Sequence, residues 1–158
     1  MDIYSIDTEN IQDAWHLFQA LMKEQKTEKF VKIDFEDFKN VFFSPQLTKV
    51  QGLIGYKEEQ PIALSTYCYS FTIYRGQPVL TFKTFYVLPA HRKQGCGKQI
   101  LKFLINEAEK NNCAYIQWSV YDENQVAKSY YDGYGFKPDQ ELLNYLVTPK
   151  DMKQKMGI

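Results

Sequence analysis

The chain lacks any imbalance of charge: nineteen Lys and Arg stand against nineteen Asp and Glu. No net field draws a polyanion toward it, and nucleic-acid binding gains no support. Long apolar runs are absent too, since 44% apolar and 24% charged residues are interspersed. That composition is globular and argues against both a membrane span and disorder. Cysteine is scarce and odd in number, and Cys68, Cys96 and Cys113 show no metal-ligand spacing, so no metal site is expected. Met1-Asp2-Ile3-Tyr4 carries neither the basic start nor the apolar segment of a leader. Together with the odd thiol count, this points to a reducing cytoplasm.

Aromatic side chains are plentiful, with 12 Tyr and 11 Phe in 158 residues. A chain of this length can bury one full core, so a single domain over residues 1–158 is expected. Ile11, Ala14, Trp15, Phe18, Leu21 and Met22 recur at helical spacing after Thr8 and Asn10, which predicts a helix through Met22 or slightly beyond. Asp34 is a predicted N-cap with Asp37 three residues on, opening a short helix that ends before Pro45.

The period then changes. Val50–Tyr56, Ile62–Ile73 and Pro78–Val87 read as strands, broken at Lys57-Glu58-Glu59 and Arg75-Gly76-Gln77, and form a predicted antiparallel meander. Ile100, Leu101, Leu104, Ile105 and Ala108 make the apolar stripe of a helix that starts after Gly95-Cys96-Gly97 and ends near Asn111-Asn112. Ala114–Val120 alternates as a strand, Asn124 caps a helix that runs through Tyr131 to the glycines Gly133 and Gly135, and Leu142–Val147 reads as a last strand. The class is α/β: a mixed, mostly antiparallel sheet flanked by helices, with a parallel step across the helix that follows the glycines.

The segment from Tyr86 to Lys98 carries most of the chemistry. A strand feeds a glycine-containing turn that opens a helix, so backbone N–H groups and the helix dipole face outward together, and the absent Cβ atoms of Gly95 and Gly97 let an anion approach. A pyrophosphate suits such a cradle. The dinucleotide fingerprint fails because Ile100 occupies the third glycine position, and the P-loop fails because Arg92 and Gln99 stand where a glycine and a hydroxyl are needed. An ordinary turn into a surface helix is the bland alternative.

Arg92-x-x-Gly95-x-Gly97, set between strand and helix, resembles the coenzyme A loop of the GCN5-related N-acetyltransferases (GNAT). Asn124-x-x-Ala127-x-x-x-Tyr131, closed by Gly135-Phe136, resembles that family's other signature. Within the family, the segments Pro61–Ser70, Arg75–Pro78 and Phe85–Pro89 are most similar to the diamine (spermidine/spermine and thialysine) acetyltransferases. The resemblance implies an acetyl-CoA-dependent enzyme acting on an amine, with acetyl-CoA as cosubstrate, and a homodimer. It implies cofactor contacts at Phe85, Tyr86 and Val87 for the pantetheine arm and at Lys93, Gln94, Gly95, Cys96, Gly97 and Lys98 for the pyrophosphate. Further contacts fall on Asn124, Gln125, Val126 and Ala127, and the catalytic tyrosine falls on Tyr131. Acyl transfer needs a donor for the developing oxyanion and a proton for the leaving thiolate; a strand N–H near Val87 and the Tyr131 hydroxyl are the expected sources. Tyr131 also reads as a packing aromatic.

Acceptor residues are less defined. Diamine acetyltransferases carry an acidic pair just before the strand-ending Tyr-Val, whereas Lys83 and Thr84 stand there in this chain, which argues against a polycation such as spermidine. Glu24, Lys83, Gln117, Trp118 and Ser119 are the candidate acceptor-side residues, Trp118 being equally suited to core packing. The expected acceptor is a small-molecule primary amine. A coenzyme A-binding sensor without turnover and an enzyme acting on protein amines remain as alternative readings.

Overall fold

Helix α1 (Ile11–Gln25) forms where the apolar stripe repeats, and it buries Ile11, Ala14, Leu17 and Leu21. The Asn10 side chain is spent upstream rather than as a helix cap: its Oδ1 accepts from the Asp7 N–H at 2.9 Å and its Nδ2 donates to the Ser5 carbonyl. Lys26, in the left-handed region at φ 55°, ends the helix and turns the chain. Helix α2 (Phe35–Phe43) begins with the reciprocal box that its sequence predicts, Asp34 Oδ1 accepting from the Asp37 N–H and Asp37 Oδ2 from the Asp34 N–H. The computed structural model describes residues 1–45, 49–139 and 147–157.

Strands β1 (Asp2–Ser5), β2 (Gln51–Lys57), β3 (Gln60–Thr72), β4 (Gln77–Val87) and β5 (Ile116–Gln117) line up in sequence order. The first four pair antiparallel, while β4 and β5 pair parallel across helix α3 (Cys96–Lys110), as the sequence predicts. Glu58 and Glu59 both take positive φ, the conformation of a tight two-residue hairpin matched to strand twist. Strand β1 was not anticipated, and β5 is shorter than the predicted Ala114–Val120.

Helices α1 and α2 cover one face of the sheet, where Leu17, Leu21 and Phe38 pack with Ile54, Leu64 and Tyr86. Trp15 lies 5.1 Å from Phe38, centroid to centroid, and fills the seam between the two helices. The pleat sends Tyr69 to the opposite face, where its hydroxyl donates to Glu107 of α3. There α3 buries Cys96, Ile100, Leu104 and Ala108, with roughly 1.5–3 kcal/mol of stabilisation for each large aliphatic side chain.

The described residues fall into two compact units, Met1–Ser119 and Val120–Ile158. The first holds the sheet and α1 to α3. The second holds α4 (Gln125–Asp132) and α5 (Pro149–Met156), the latter capped by Thr148 and absent from the sequence prediction. The predicted strand Leu142–Val147 lies, apart from Val147, outside the described residues.

Candidate active site

Strand β4 changes its pairing along its length. Its parallel pairing with β5 is confined to Leu80 with Ile116 and Thr81 with Gln117, fastened by a 3.0 Å bond from Gln117 Nε2 to Thr81 Oγ1. From Phe82 to Val87, β4 pairs only with β3 among the described residues. Thr66 pairs with Thr84 and Tyr67 with Phe82, so exposed Lys83 is the extra residue of a β-bulge, a device that bends a strand and ends regular pairing. The bulge puts Phe82 and Phe85 on one face with ring centroids 5.7 Å apart, and Trp118 stacks on Phe82 at 4.9 Å. Trp118 therefore has a packing role.

Register decides which backbone groups face away from β3. The Leu88 N–H donates to the Ile62 carbonyl, so alternate residues of β4 back to Thr84 bond to β3. Phe85 and Val87, the residues between, direct their N–H and C=O groups away from β3. The Val87 carbonyl is already taken, by Arg92 Nε at 2.8 Å. Its N–H is left as the donor at the end of the strand.

A 3₁₀ turn at Pro89–His91 then carries the chain into the glycine loop. Gly95 is the N-cap of α3 at φ 82°, a conformation that L side chains rarely adopt, and it has no side chain with which to cap the helix. A Cβ built on Gly95 meets nothing within 4 Å, so backbone conformation and not crowding calls for glycine there, and the space beside it is open. The N–H groups of Cys96, Gly97 and Lys98 lie in the first turn, where an α-helix provides them no carbonyl. Exposed Lys93, itself at φ 59°, and exposed Lys98 flank them with positive charge. These features fit a pyrophosphate.

Two of the expected contacts are engaged within the protein. Gln94 Nε2 donates to the Ala90 carbonyl and its Oε1 accepts from Lys57 Nζ at 3.1 Å, which stiffens the loop and places a further cation against it. Cys96 is buried in the core. Lys57 is a site-region residue that the sequence reading did not assign, and Arg92, read there as part of the loop motif, anchors the loop to the end of β4. Glu24, at the last turn of α1, accepts from Arg92 at 2.7 Å. Ser119 is exposed. Tyr86 is buried beneath the α1 layer, and burial first, then Glu24, raises its hydroxyl above the ordinary tyrosine value.

In the second unit, Asn124 Oδ1 caps α4 by accepting from the Ala127 N–H at 3.0 Å. Gln125 reaches back to the Asp122 carbonyl, and Lys128 contacts the Asp122 carboxylate and holds it below its ordinary range. Val126 is exposed. The helix closes with paired bonds from the Gly135 N–H to the Asp132 carbonyl and from the Phe136 N–H to the Tyr131 carbonyl, Gly135 sitting at φ 76°. Gly133, by contrast, is right-handed helical, so Gly135 is the stop. Tyr131 is the buried residue of α4, and desolvation raises its hydroxyl well above the ordinary value of 10. Its hydroxyl is therefore neutral at pH 7.

The sequence profile of the acetyltransferase (GNAT) family matches residues 11–136. A thialysine N-epsilon-acetyltransferase of Caenorhabditis elegans is 28% identical over 83 residues, covering 52% of this chain and 51% of that protein. The chain thus spans about half the length of this curated relative, whose name agrees with the resemblance to the diamine branch. Among solved structures, an integron cassette protein from the V. cholerae mobile metagenome is similar at TM-score 0.79 and 20% identity, over 98% of this chain and 96% of that one. An aminoglycoside N-acetyltransferase in complex with coenzyme A is similar at TM-score 0.70 and 15% identity, over 93% and 99% of the two chains. At these identities the solved structures establish the fold.

Proposed function

The chain belongs to the acetyltransferase (GNAT) family, and on that premise we propose that it is an acetyl-CoA-dependent N-acetyltransferase, folded as one domain over residues 1–158. In this reading it transfers acetyl directly to the primary amine of a small molecule with both substrates bound. One observation carries the proposal: the end of β4, where the Val87 N–H points away from β3, runs into a helix whose N-terminus opens on a left-handed Gly95.

Bound acetyl-CoA supplies an activated thioester. The chain's residues do the rest. The N–H groups of Cys96, Gly97 and Lys98, with the charges of Lys93 and Lys98, hold the pyrophosphate, and Gln94 and Gly95 shape the loop. Phe85, Tyr86 and Val87 hold the pantetheine arm along the strand edge, and Asn124, Gln125, Val126 and Ala127 add the contacts that the resemblance implies. The Val87 N–H stabilises charge developing on the acetyl oxygen, and Tyr131 gives a proton to the departing thiolate.

Lys83, Gln117, Trp118 and Ser119 are the acceptor-side residues in this reading. With an exposed lysine at the bulge where the diamine branch carries acid, the preferred acceptor is an amino-acid-like amine or a diamine rather than a trivalent polyamine such as spermidine. We extend the reading to a cytoplasmic homodimer, on the thiol count and the diamine resemblance. No helix among the described residues is long and apolar enough to cross a membrane. Free-thiol release from acetyl-CoA across a panel of amines tests the proposal: sustained release with an amine is the expected result, and coenzyme A binding with no release from any amine contradicts it.

A further inference from the structure

Glu24 was expected on the acceptor side, but its bonds point elsewhere. Glu24 Oε2 accepts from a terminal nitrogen of Arg92 at 2.7 Å, and Arg92 Nε donates to the Val87 carbonyl at 2.8 Å. The same guanidinium carbon lies 5.7 Å from the centroid of the Tyr86 ring. One planar cation therefore joins three parts of the fold: the last turn of α1, the final residues of β4 and the start of the glycine loop. A guanidinium can do this because its donors are fixed in a fork, so satisfying one nitrogen sets the direction of the others.

The consequence falls on the coenzyme A site. With its carbonyl engaged by Arg92, Val87 presents its N–H away from β3 as a donor. The loop that leads to the N-terminus of α3 is anchored to that same residue. We infer that Glu24 is a positioning residue for coenzyme A: acting through Arg92, it aligns the β4 edge with the α3 N-terminus and does not bind the acceptor. The inference rests on the function proposed above.

The test uses the full chain and its Glu24→Gln, Arg92→Lys and doubly substituted variants, with coenzyme A affinity from calorimetry and amine KM at saturating acetyl-CoA. Glu24→Gln keeps the size of the side chain and removes the charge. The Arg92–Glu24 pair is about a third exposed, so a loss of about fivefold in coenzyme A affinity is expected. Arg92→Lys should lose a similar factor, and the double variant no more than the greater single loss, because each change breaks the same connection. Amine KM should stay at the parent value, which a general loss of structure would not allow. An unchanged coenzyme A affinity in Glu24→Gln, a raised amine KM, or additive losses in the double variant overturns the inference while leaving the proposed function standing. Failure of the parent chain to bind coenzyme A overturns the proposed function, and this inference with it.

Discussion

The two halves of the proposed chemistry are built from different materials. In Met1–Ser119 the donors are backbone groups, at Val87 and in the first turn of α3, and what matters is conformation: a bulge at Lys83, a left-handed Gly95, a carbonyl capped by Arg92. In Val120–Ile158 the proposed chemistry rests on one side-chain atom, the hydroxyl of Tyr131, which burial holds above the ordinary tyrosine value. A backbone site tolerates side-chain change but not a change of shape; a side-chain site is the reverse. Substitutions should therefore divide by region into those that weaken binding and those that slow chemistry.

The largest effect should come from Tyr131→Phe, which removes one oxygen and keeps the ring. Single-turnover acetylation should slow by about 10²- to 10⁴-fold while coenzyme A affinity survives. Because burial raises this hydroxyl above its ordinary value of 10, the neutral donor form persists at every pH below that value. The parent rate should accordingly show no basic limb below pH 10 that Tyr131→Phe abolishes. A parent-like single-turnover rate in the variant would make Tyr131 a packing residue and erase the contrast between the regions.

Gly95→Ala sharpens the other side. The added methyl meets nothing, so its cost is conformational, about 1 kcal/mol at φ 82°. The melting temperature should fall by about 2–4 °C and coenzyme A should bind more weakly, with the chemical step on bound substrate unchanged. A variant as stable as the parent would show that the loop is free to take another conformation.

The smallest effect should come from Lys83→Glu at the bulge. Spermidine KM should fall by about two- to fivefold, as for an exposed charge pair. Efficient turnover of spermidine by the parent would contradict the part assigned to Lys83.

Much of this was legible because its causes are local. The Asp34–Asp37 box, the glycine loop and the Asn124 cap each lie within a few residues, and each stands where its pattern predicts. Strand β1 has four residues and is held by pairing with β2 some fifty positions away, so its own sequence carries little signal. The bulge at Lys83 is a property of two strands in register and of neither alone. Glu24 and Arg92 meet across a sequence separation of 68 residues, and a glutamate at the end of a helix reads equally as a ligand or as a brace. Helix α5 does carry a start signal in Thr148, Pro149 and Asp151, but only Met152 and Met156 supply an apolar face to announce it.

The central claim is that the end of β4 and the N-terminus of α3 together hold coenzyme A, and thermal unfolding with added ligand tests it most directly. At a hundredfold excess over its dissociation constant, coenzyme A should stabilise the parent by roughly 2.7 kcal/mol, with NAD and ATP doing much less. Gly97→Asp, which brings a carboxylate into the first turn of α3, should melt near the parent temperature without ligand and lose the shift with it. A coenzyme A shift that persists in Gly97→Asp, or NAD and ATP shifts as large as that of coenzyme A, would contradict the account.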